Sequence, residues 1–458
     1  MVITHLVSRI NHSVDWVLVE WHVLKPSFTT LKKYLRSVEF VYAAVVTFAL
    51  TQGPIFRIWA SSAAYADILP SPSVEHARFA TYLILQGPAL LMFARRVDSS
   101  WLLRLGNKVL VVFLLWIGLT VLWSTYARQS VTEFMALLVT TSFGLYLATS
   151  FTFRRVVWIV ASATGSGVLL SYFAVMRLWD GSVNLQENFW VGIYFNRNSL
   201  APVAAVAVVT SCFLVQDACR RKSRMVILRL AGPLLLLLIS VLVLWQSGSR
   251  TSIFALLAGV VAAVLWLTLR AVALRVAGTR RAFQWSAPVA VLAVVSAVLV
   301  LIRLAVTTPG VPTEFAFFSS RAQIWSVNWS GFLEKPLLGW GWMAAWMIPD
   351  FPRLGAWWVL WDTKLSHNSY HDLLLGGGVP AAVLFTLAVL TGSTAIDDEP
   401  EEPAGVVRSI LVVYVLVAAT QESFFIGSHF LWAVLVAMLF GTNEGLNAQT
   451  SRTRPPNG

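Results

Sequence analysis

Long apolar runs recur along almost the whole chain, and they constrain its fold more than any other feature. Residues 234–245, for example, contain no charged side chain. Only 12% of the residues are charged and 57% are hydrophobic, whereas a soluble chain carries charge on about a quarter of its residues. Because many of the runs are long enough to cross a bilayer as helices, the sequence predicts an all-α, polytopic helical membrane protein.

The apolar runs divide into about twelve predicted membrane-spanning helices, with a long external loop carrying short helices between the ninth and the tenth. The predicted spans are residues 37–54, 77–94, 107–125, 131–149, 155–176, 199–216, 226–246, 252–269, 286–304, 379–395, 406–420 and 424–441.

These spans divide the chain into five segments. Residues 1–36 form a cytoplasmic or interfacial segment, for which a helix in the headgroup plane and an ordinary solvated helix both fit. Residues 37–304 hold spans one to nine, and residues 305–378 form the large external loop. Residues 379–441 hold the last three spans, and residues 442–458 form a cytoplasmic tail. A polar, aromatic-rich loop as long as 305–378 is typical of a catalytic or binding site.

The basic residues predict the orientation of the chain. The formal net charge is +12, and arginines and lysines collect in alternate loops on the side of the N-terminus. Cytoplasmic loops of membrane proteins carry this positive excess, so both termini are predicted to be cytoplasmic and the long loop to face outward. The excess charge therefore does not indicate a nucleic-acid partner.

Four polar stretches stand out in the predicted external loops. They are residues 194–199 (YFNRNS), 247–252 (SGSRTS), 319–341 (SSRAQIW through KPLLGWG) and 366–378 (SHNSY through GGG). Each has an ordinary explanation when taken alone. Arg250 fits an arginine that reaches lipid headgroups, an asparagine such as Asn196 fits a helix cap, and the glycines fit a turn before a span.

Taken together, the stretches bring arginines, a histidine, amides and hydroxyls to one face of the membrane. Arginine binds phosphate through two parallel hydrogen bonds, and histidine is the side chain best suited to accept a proton near neutral pH. A substrate with a pyrophosphate and an activated hydroxyl fits this set. The tryptophans of the long loop are either stacking platforms for a sugar ring or an interfacial belt. They are Trp325, Trp329, Trp340, Trp342, Trp346, Trp357, Trp358 and Trp361.

The order and spacing of these motifs resemble the O-antigen ligase and polymerase superfamily of bacterial cell-envelope proteins. The likeness runs from Phe195 to about Phe440. Its strongest parts are the SGSRTS turn, the SSRAQIW segment followed by KPLLGWGW, and HNSYHDLLLGGGVP at residues 367–380.

The resemblance implies a membrane-embedded glycosyltransferase. Such an enzyme takes a glycan from a polyprenyl-pyrophosphate carrier at the outer face of the cytoplasmic (inner) membrane and joins it to a hydroxyl of a glycan, lipid or protein acceptor. It uses no metal and no other cofactor. The family arginines match Arg250 and Arg321, which bind the pyrophosphate, and the family histidine matches His367, which orients or deprotonates the acceptor. His371 stands where an apolar residue is more usual, so the base is either histidine; Asn368 beside His367 favours His367.

Further residues of the same stretches are predicted to bind substrate. They are Asn196, Arg197, Asn198, Ser249, Ser320, Trp325, Asn368, Tyr370 and His371. One base and no evident carboxylate nucleophile predict a single displacement, with inversion at the anomeric carbon.

Two other functions compete with a glycan ligase. A polymerase that joins repeat units on the same carrier would use the same motifs, and only the acceptor separates the two. A lipid or polysaccharide transporter predicts charges at the membrane midplane and related halves of the chain, and the sequence shows little of either.

Overall fold

The computed structural model describes residues 28–53, 72–97, 101–179, 181–185, 188–220, 226–277, 285–307, 319–348, 365–399, 402–425 and 427–440. Helices account for most of this part of the chain. The α-helices are α1 (Phe28–Leu50), α2 (Pro72–Arg96), α3 (Leu105–Leu119), α4 (Ala127–Ser150), α5 (Phe153–Met176), α6 (Arg197–Arg220), α7 (Val226–Gln246), α8 (Arg250–Ala277), α9 (Ser286–Thr307), α10 (Ser319–Glu334), α11 (Ser369–Asp397), α12 (Glu402–Ala418) and α13 (Phe430–Leu439).

Short elements join some of these helices. Turns of 3-10 helix cover Trp101–Leu103, Thr120–Trp123 and Ala345–Met347. Strands β1 (Val183–Asn184) and β2 (Phe189–Trp190) pair antiparallel just before α6.

The helical membrane architecture predicted from the sequence is confirmed, whereas the count of twelve spans stays a prediction. Within the described ranges, seven helices are long and apolar enough to cross a membrane. They are Leu105–Trp123, Ala127–Ser150, Phe153–Met176, Arg197–Arg220, Ile227–Gln246, Arg250–Val276 and Ser369–Asp397. Each of the other five predicted spans also overlaps a helix, among them the shorter apolar helices Ser286–Ile302 and Phe430–Leu439.

The chain divides into two compact units, residues 1–45 and residues 46–458. Of the first unit the structure describes only the beginning of α1, so most of the predicted interfacial segment lies outside the described residues. The predicted tail at 442–458 also lies outside them. Everything that follows concerns the second unit.

Helices α8 and α12 run antiparallel in close contact. Three contacts at successive positions along the two helices define the pairing. Tyr414 Oη lies 3.3 Å from Ser252 Oγ. Further along, Gly259 lies against Ile410, and Gly405 lies against the Trp266 ring. A Cβ added at Gly405 would come within 2.3 Å of that ring, so glycine is what permits the close approach. The first residue of α8 therefore lies beside the end of α12.

Helix α11 begins at Ser369, well before the span that was predicted to start at residue 379. The three glycines predicted as a turn lie within this helix. Gly378 alone breaks it, with φ 67° and ψ −167°, and the chain kinks there before continuing to Asp397. The predicted span started too late because glycine is a poor helix former and the three glycines indicated a turn. In the structure, tertiary contacts offset that cost.

Residues 336–342 dock into the kink of α11. The Trp340 N–H donates to the Leu375 carbonyl at 2.7 Å, and the Val379 N–H donates to the Pro336 carbonyl at 2.8 Å. From α3, the Trp116 indole N–H donates to the Gly377 carbonyl at 2.8 Å. These bonds satisfy backbone groups that the kink releases from the helix ladder. The KPLLGWGW motif thus fixes α10 against α11.

The last predicted span, 424–441, is helical only from Phe430. Its first residues are instead held by Ser369, whose Oγ accepts hydrogen bonds from the backbone N–H groups of Phe424 and Phe425, at 2.7 Å and 3.2 Å. Because a side chain supplies these backbone partners, the segment does not need to become helical.

Carboxylates and arginines meet at the other end of the same helices. Asp397, the last residue of α11, accepts hydrogen bonds from the Trp266 indole at 2.8 Å and from the Ser286 hydroxyl at 2.7 Å. Nearby in sequence, Glu399 pairs with Arg408 at 3.2 Å, and both side chains are buried. Among the described basic residues of the predicted cytoplasmic loops, Arg270 acts electrostatically on Asp397 and Arg104 on Arg408. This end lies a full helix length from Ser369.

Candidate functional site

Several helices begin at the end of the bundle where α12 terminates, among them α6, α8 and α11. Asn198 at the start of α6 and Ser369 at the start of α11 both contact the segment that follows α12, and α8 begins beside α12. A helix N-terminus carries a partial positive charge from its unpaired N–H groups, so these starts favour an anion at this end.

Glu422 is the centre of the polar contacts here. Arg321 Nη2 donates to Glu422 Oε1, and Asn198 Nδ2 donates to the same oxygen at 2.8 Å. The other oxygen, Oε2, lies 3.0 Å from His367 Nδ1. The side chains of Arg321 and Glu422 are only 12% and 13% exposed, and that of His367 is 31% exposed. One sheltered carboxylate therefore joins an arginine and a histidine that are far apart in the sequence.

The surroundings keep Glu422 ionised. Burial raises the pKa of its carboxyl, but the hydrogen bond with His367 and the positive charge of Arg321 outweigh burial. The net result is a pKa below the ordinary value of 4.5. Glu422 is therefore a negative charge at every pH near neutrality.

Arg321 reaches this carboxylate from α10. Its Nη1 donates to Gln421 Oε1 at 3.3 Å while Nη2 donates to Glu422, so the guanidinium spans two neighbouring side chains. Guanidinium has five N–H donors in a plane, and these two contacts use two of them. The arginine is thus oriented by fixed contacts before any ligand binds.

His367 lies just before α11 in a strained backbone conformation. Its φ is 46°, in the left-handed region that L-residues seldom adopt. Asn368 follows as the helix cap and accepts from the N–H groups of Tyr370 at 3.0 Å and His371 at 3.3 Å. Strain of this kind persists only where neighbouring contacts determine the geometry, and it is common at functional sites.

Ser369 ties this turn to the segment that carries Glu422. Its N–H donates to the Ala419 carbonyl at 2.8 Å, and its hydroxyl donates to the Glu422 carbonyl at 2.9 Å. These two hydrogen bonds of Ser369 therefore fix the relative position of His367 and Glu422.

Arg250, the third predicted catalytic residue, is the first residue of α8 and is exposed. The antiparallel packing of α8 on α12 puts it at the same end of the bundle as Arg321 and His367. Ser249 before it is buried, with its Oγ 3.5 Å from Ser252 Oγ, and supports the turn.

The predicted substrate-binding residues at the start of α6 have different surroundings. Asn196 caps the helix, accepting from the Ser199 N–H at 2.9 Å and the Ser199 hydroxyl at 3.1 Å. The Arg197 guanidinium lies over the Phe189 ring, 4.6 Å from its centre. Of these residues, Asn198 is the one that contacts Glu422.

The second predicted histidine has other partners. His371 Nδ1 lies 3.2 Å from Asn328 Nδ2, and the His371 ring meets the Trp325 ring edge-on at 6.1 Å. Tyr370 donates its hydroxyl to the Leu416 carbonyl at 2.9 Å. The packing of α10 and α12 against α11 therefore engages both side chains. Ser320 lies at the start of α10, and its side chain is outside the described part of the chain.

Several tryptophans of the predicted stacking set are buried. Trp325, Trp342 and Trp346 pack inside the protein, while Trp329 is exposed. Buried rings contact other side chains and have no open face for a sugar. Trp357, Trp358 and Trp361 lie outside the described residues.

Sequence reasoning missed Glu422 and Gln421. The signal available was an acidic residue in a short predicted external loop, on the face that carries Arg250 and Arg321. A single carboxylate has no local pattern, and its importance comes from contact with Arg321, 101 residues away.

A cavity of about 250 Å³ lies beside His367. It is bounded by the turn at residues 51–53, the start of α6 and the segment from Glu422 to His429. Across the described residues, no group of three His, Cys, Asp or Glu side chains is arranged to hold a metal ion; independence from metal stays a prediction.

Comparison with known families identifies part of the chain. Residues 234–386 match the family model described as O-antigen ligase, about a third of the 458 residues. The resemblance found in the sequence is confirmed over this region, which contains Arg250, Arg321 and His367. No curated protein matches the chain. Asn198 and Glu422 lie outside the matched region, so the cluster joins matched and unmatched parts of the protein.

Proposed function

We propose that the chain is an integral-membrane glycosyltransferase that moves a glycan from a polyprenyl-diphosphate carrier to an acceptor hydroxyl, at the outer face of the cytoplasmic membrane. The family match supports glycan transfer. The observation that carries the proposal is the meeting of Arg321 and His367 on Glu422, because it joins a phosphate-binding group to a base.

The arginines act on the leaving group. When the bond from the anomeric carbon to the diphosphate oxygen breaks, its electron pair stays on the diphosphate, where negative charge accumulates. Arg321 and Arg250 stabilise that charge, and the partly buried position of Arg321 strengthens its effect. Permanent positive side chains supply the stabilisation that a divalent cation gives elsewhere, so no metal is needed.

His367 acts on the acceptor. Its Nδ1 faces the Glu422 carboxylate, which leaves Nε2 to accept the proton of the attacking hydroxyl. As the hydroxyl oxygen bonds to the anomeric carbon, its proton moves to Nε2 and the carboxylate stabilises the imidazolium. A carboxylate that orients a histidine in this way recurs in unrelated hydrolases.

The contacts favour His367 over His371 as the base. His367 bonds an ionised carboxylate and is partly open to the cavity, whereas His371 is engaged by Asn328 and Trp325 between helices. A general base needs access to the hydroxyl and a partner for the proton it gains.

The charge distribution supports an outward-facing site. Arg154 pairs with Asp217 at 2.6 Å between the start of α5 and the end of α6, at the opposite end from Asn198. Arg270 lies twenty residues into α8, about 30 Å from Arg250 at 1.5 Å per residue. Basic loops mark the cytoplasmic side, which leaves the Glu422 end outside.

Reconstituted protein tests the proposal. The purified protein is reconstituted in proteoliposomes. It is then mixed with carrier-linked glycan extracted from cells that lack the protein and with an acceptor prepared from the cell envelope. We expect release of polyprenyl diphosphate in step with glycan transfer, in the presence of EDTA, and no release with His367→Ala. Movement of intact donor across the bilayer without release would instead indicate a transporter. Mass spectrometry of the product separates the alternatives: a second carrier-linked glycan as acceptor identifies a polymerase.

A further inference from the structure

The cavity beside His367 has a lining that distinguishes one substrate from the other. We infer that it is the acceptor pocket, that it takes one neutral sugar ring, and that Phe195 is the surface on which the ring stacks. The inference rests on the proposed transfer reaction and adds to it the class of acceptor and the residues that select it.

The charge of the described lining disfavours the donor diphosphate. Among the described lining residues are the carboxylate of Glu422 and two histidines, but no lysine or arginine. An ionised Glu422 repels a diphosphate, which needs cations to offset the loss of hydration. Arg321 approaches Glu422 from α10 and is absent from the lining. The carboxylate thus contacts Arg321 on one side and, on the other, lines a cavity whose described lining has no lysine or arginine.

His367 is positioned to serve this cavity. It lines the wall while its Nδ1 bonds to Glu422, so Nε2 is the ring nitrogen left to accept a proton from a hydroxyl bound there. A hydroxyl bound here would meet the base directly, with the diphosphate held on the arginine side.

Phe195 provides the aromatic face that the buried tryptophans lack. It lines the cavity and is 52% exposed, whereas its neighbour Tyr194 is completely buried. The hydrophobic face of a sugar ring packs against an aromatic ring in the way other apolar groups do, and the ring hydroxyls then point to polar neighbours.

The polar groups around Phe195 are suited to hydrogen-bond with the hydroxyls of a sugar ring. Asn196 uses its carbonyl oxygen to cap α6, and its amide nitrogen carries two donors. His429 Nδ1 accepts the Leu431 N–H at 3.2 Å, so in the neutral ring the proton lies on Nε2. The amide of Asn196, the imidazole of His429 and the hydroxyl of Ser199 can therefore hydrogen-bond to the hydroxyl groups of a neutral sugar.

The walls are rigid before a ligand binds. The Tyr194 ring fits between Gly53 and Gly167, where an added Cβ would lie 2.5 Å from Cε1 and 2.2 Å from the hydroxyl oxygen. Gln52 has φ 69° and Ser428 has φ 68°, and the Gln52 amide donates to the Ser428 carbonyl at 3.1 Å. Strained residues held by a direct hydrogen bond beside a cavity are typical of a preorganised pocket.

The volume limits what enters. At about 250 Å³ the cavity lies below the roughly 300–1,000 Å³ range of sites for larger ligands. This size suits a single six-membered sugar ring.

Binding by the full chain in lipid nanodiscs tests the assignment. The probes are methyl β-D-glucopyranoside, methyl β-D-glucuronide and farnesyl diphosphate, each followed by saturation-transfer NMR. We expect the neutral glycoside to bind with a Kd in the millimolar range and the glucuronide to bind at least about tenfold more weakly. Phe195→Ala should weaken binding of the glycoside about tenfold, and the matched variant Phe195→Trp should retain that binding. Neither variant should change diphosphate binding, which Arg321→Ala should abolish.

Each contrary result has a distinct meaning. No glycoside binding up to about 100 mM, equal binding of the glucuronide, or an equal loss in both Phe195 variants would overturn the pocket assignment alone. Displacement of the diphosphate by the glycoside would also overturn it, since both would share one site. If wild-type protein binds the glycoside but not the diphosphate, the proposed transferase function fails, and the acceptor role fails with it.

Discussion

Replacing Glu422 by Gln removes one negative charge and keeps the shape of the side chain. In the structure that charge faces Arg321 on one oxygen and His367 on the other. The amide cannot stabilise an imidazolium, and its NH₂ group points a donor at either the guanidinium or the imidazole. We therefore expect Glu422→Gln to reduce transfer strongly while the protein stays in the membrane.

The magnitude follows from the contacts. A general base increases the reaction rate by a factor of about 10²–10⁴. A carboxylate that orients a catalytic histidine accounts for most of that increase. Loss of the 3.0 Å contact between His367 and a charged partner should lower kcat by about 10³, or about 4 kcal/mol of transition-state stabilisation. The acceptor KM should change much less, because Glu422 acts mainly on the base.

The pH dependence of stability tests the same charge. A carboxyl whose pKa is lower in the folded protein than in the unfolded chain binds fewer protons when folded. Its stabilisation is complete above the unfolded-state pKa and disappears as the pH falls through the folded value. The pKa of Glu422 lies below 4.5 when folded. The Tm difference between wild type and Glu422→Gln should therefore be constant from pH 7 to about 5 and shrink at lower pH.

Glu399→Gln is the matched control. Glu399 is also a buried carboxylate paired with an arginine, Arg408 at 3.2 Å, but it lies at the opposite end of the helices. Both variants should lower Tm, and only Glu422→Gln should lower kcat. Equal activity losses in the two variants, measured as glycan transfer per folded protein, would refute a catalytic role for Glu422.

Three other expectations concern the arginine, the kink and the product. Arg321→Lys should reduce transfer about tenfold to hundredfold, since an ammonium cannot span Gln421, Glu422 and a phosphate at once; wild-type rates would indicate a simple point charge. Gly378→Ala should cost at least about 1–3 kcal/mol in thermal stability because of its positive φ, and its Cβ would meet the Leu337 carbonyl oxygen at 2.2 Å. Gly87→Ala, where a Cβ meets nothing within 4 Å, is the control that should not destabilise. The new glycosidic bond should have the opposite anomeric configuration to the donor by NMR, and retention would exclude a single displacement.

The sequence predicted the helices well because hydropathy depends on local composition. Every predicted span overlaps a helix, and the largest differences lie where a side chain or distant backbone group replaces a local partner. Ser369 holds residues 424–425 out of helical geometry, and residues 336–342 support the kink at Gly378. Neither contact leaves a pattern in the neighbouring sequence.

The site was predictable to a smaller extent. Arg321 and His367 carry motifs and could be paired through the family resemblance. Glu422 carries none, since a carboxylate becomes significant only through the groups it meets after folding. Stacking by Trp325 was inferred from residue type, and its burial beside His371 could not be deduced without the packing of α10 on α11.

The central claim is that Arg321, His367 and Glu422 act together in transfer from a carrier lipid. Mass spectrometry of lipid extracts from a deletion strain tests it most directly, with the strain carrying wild-type protein, His367→Ala, Glu422→Gln or the Glu399→Gln control at equal membrane levels. We expect polyprenyl-diphosphate-linked glycan to accumulate with His367→Ala and Glu422→Gln and to stay at the wild-type level with Glu399→Gln. Wild-type levels of the carrier-linked glycan with His367→Ala would contradict the account.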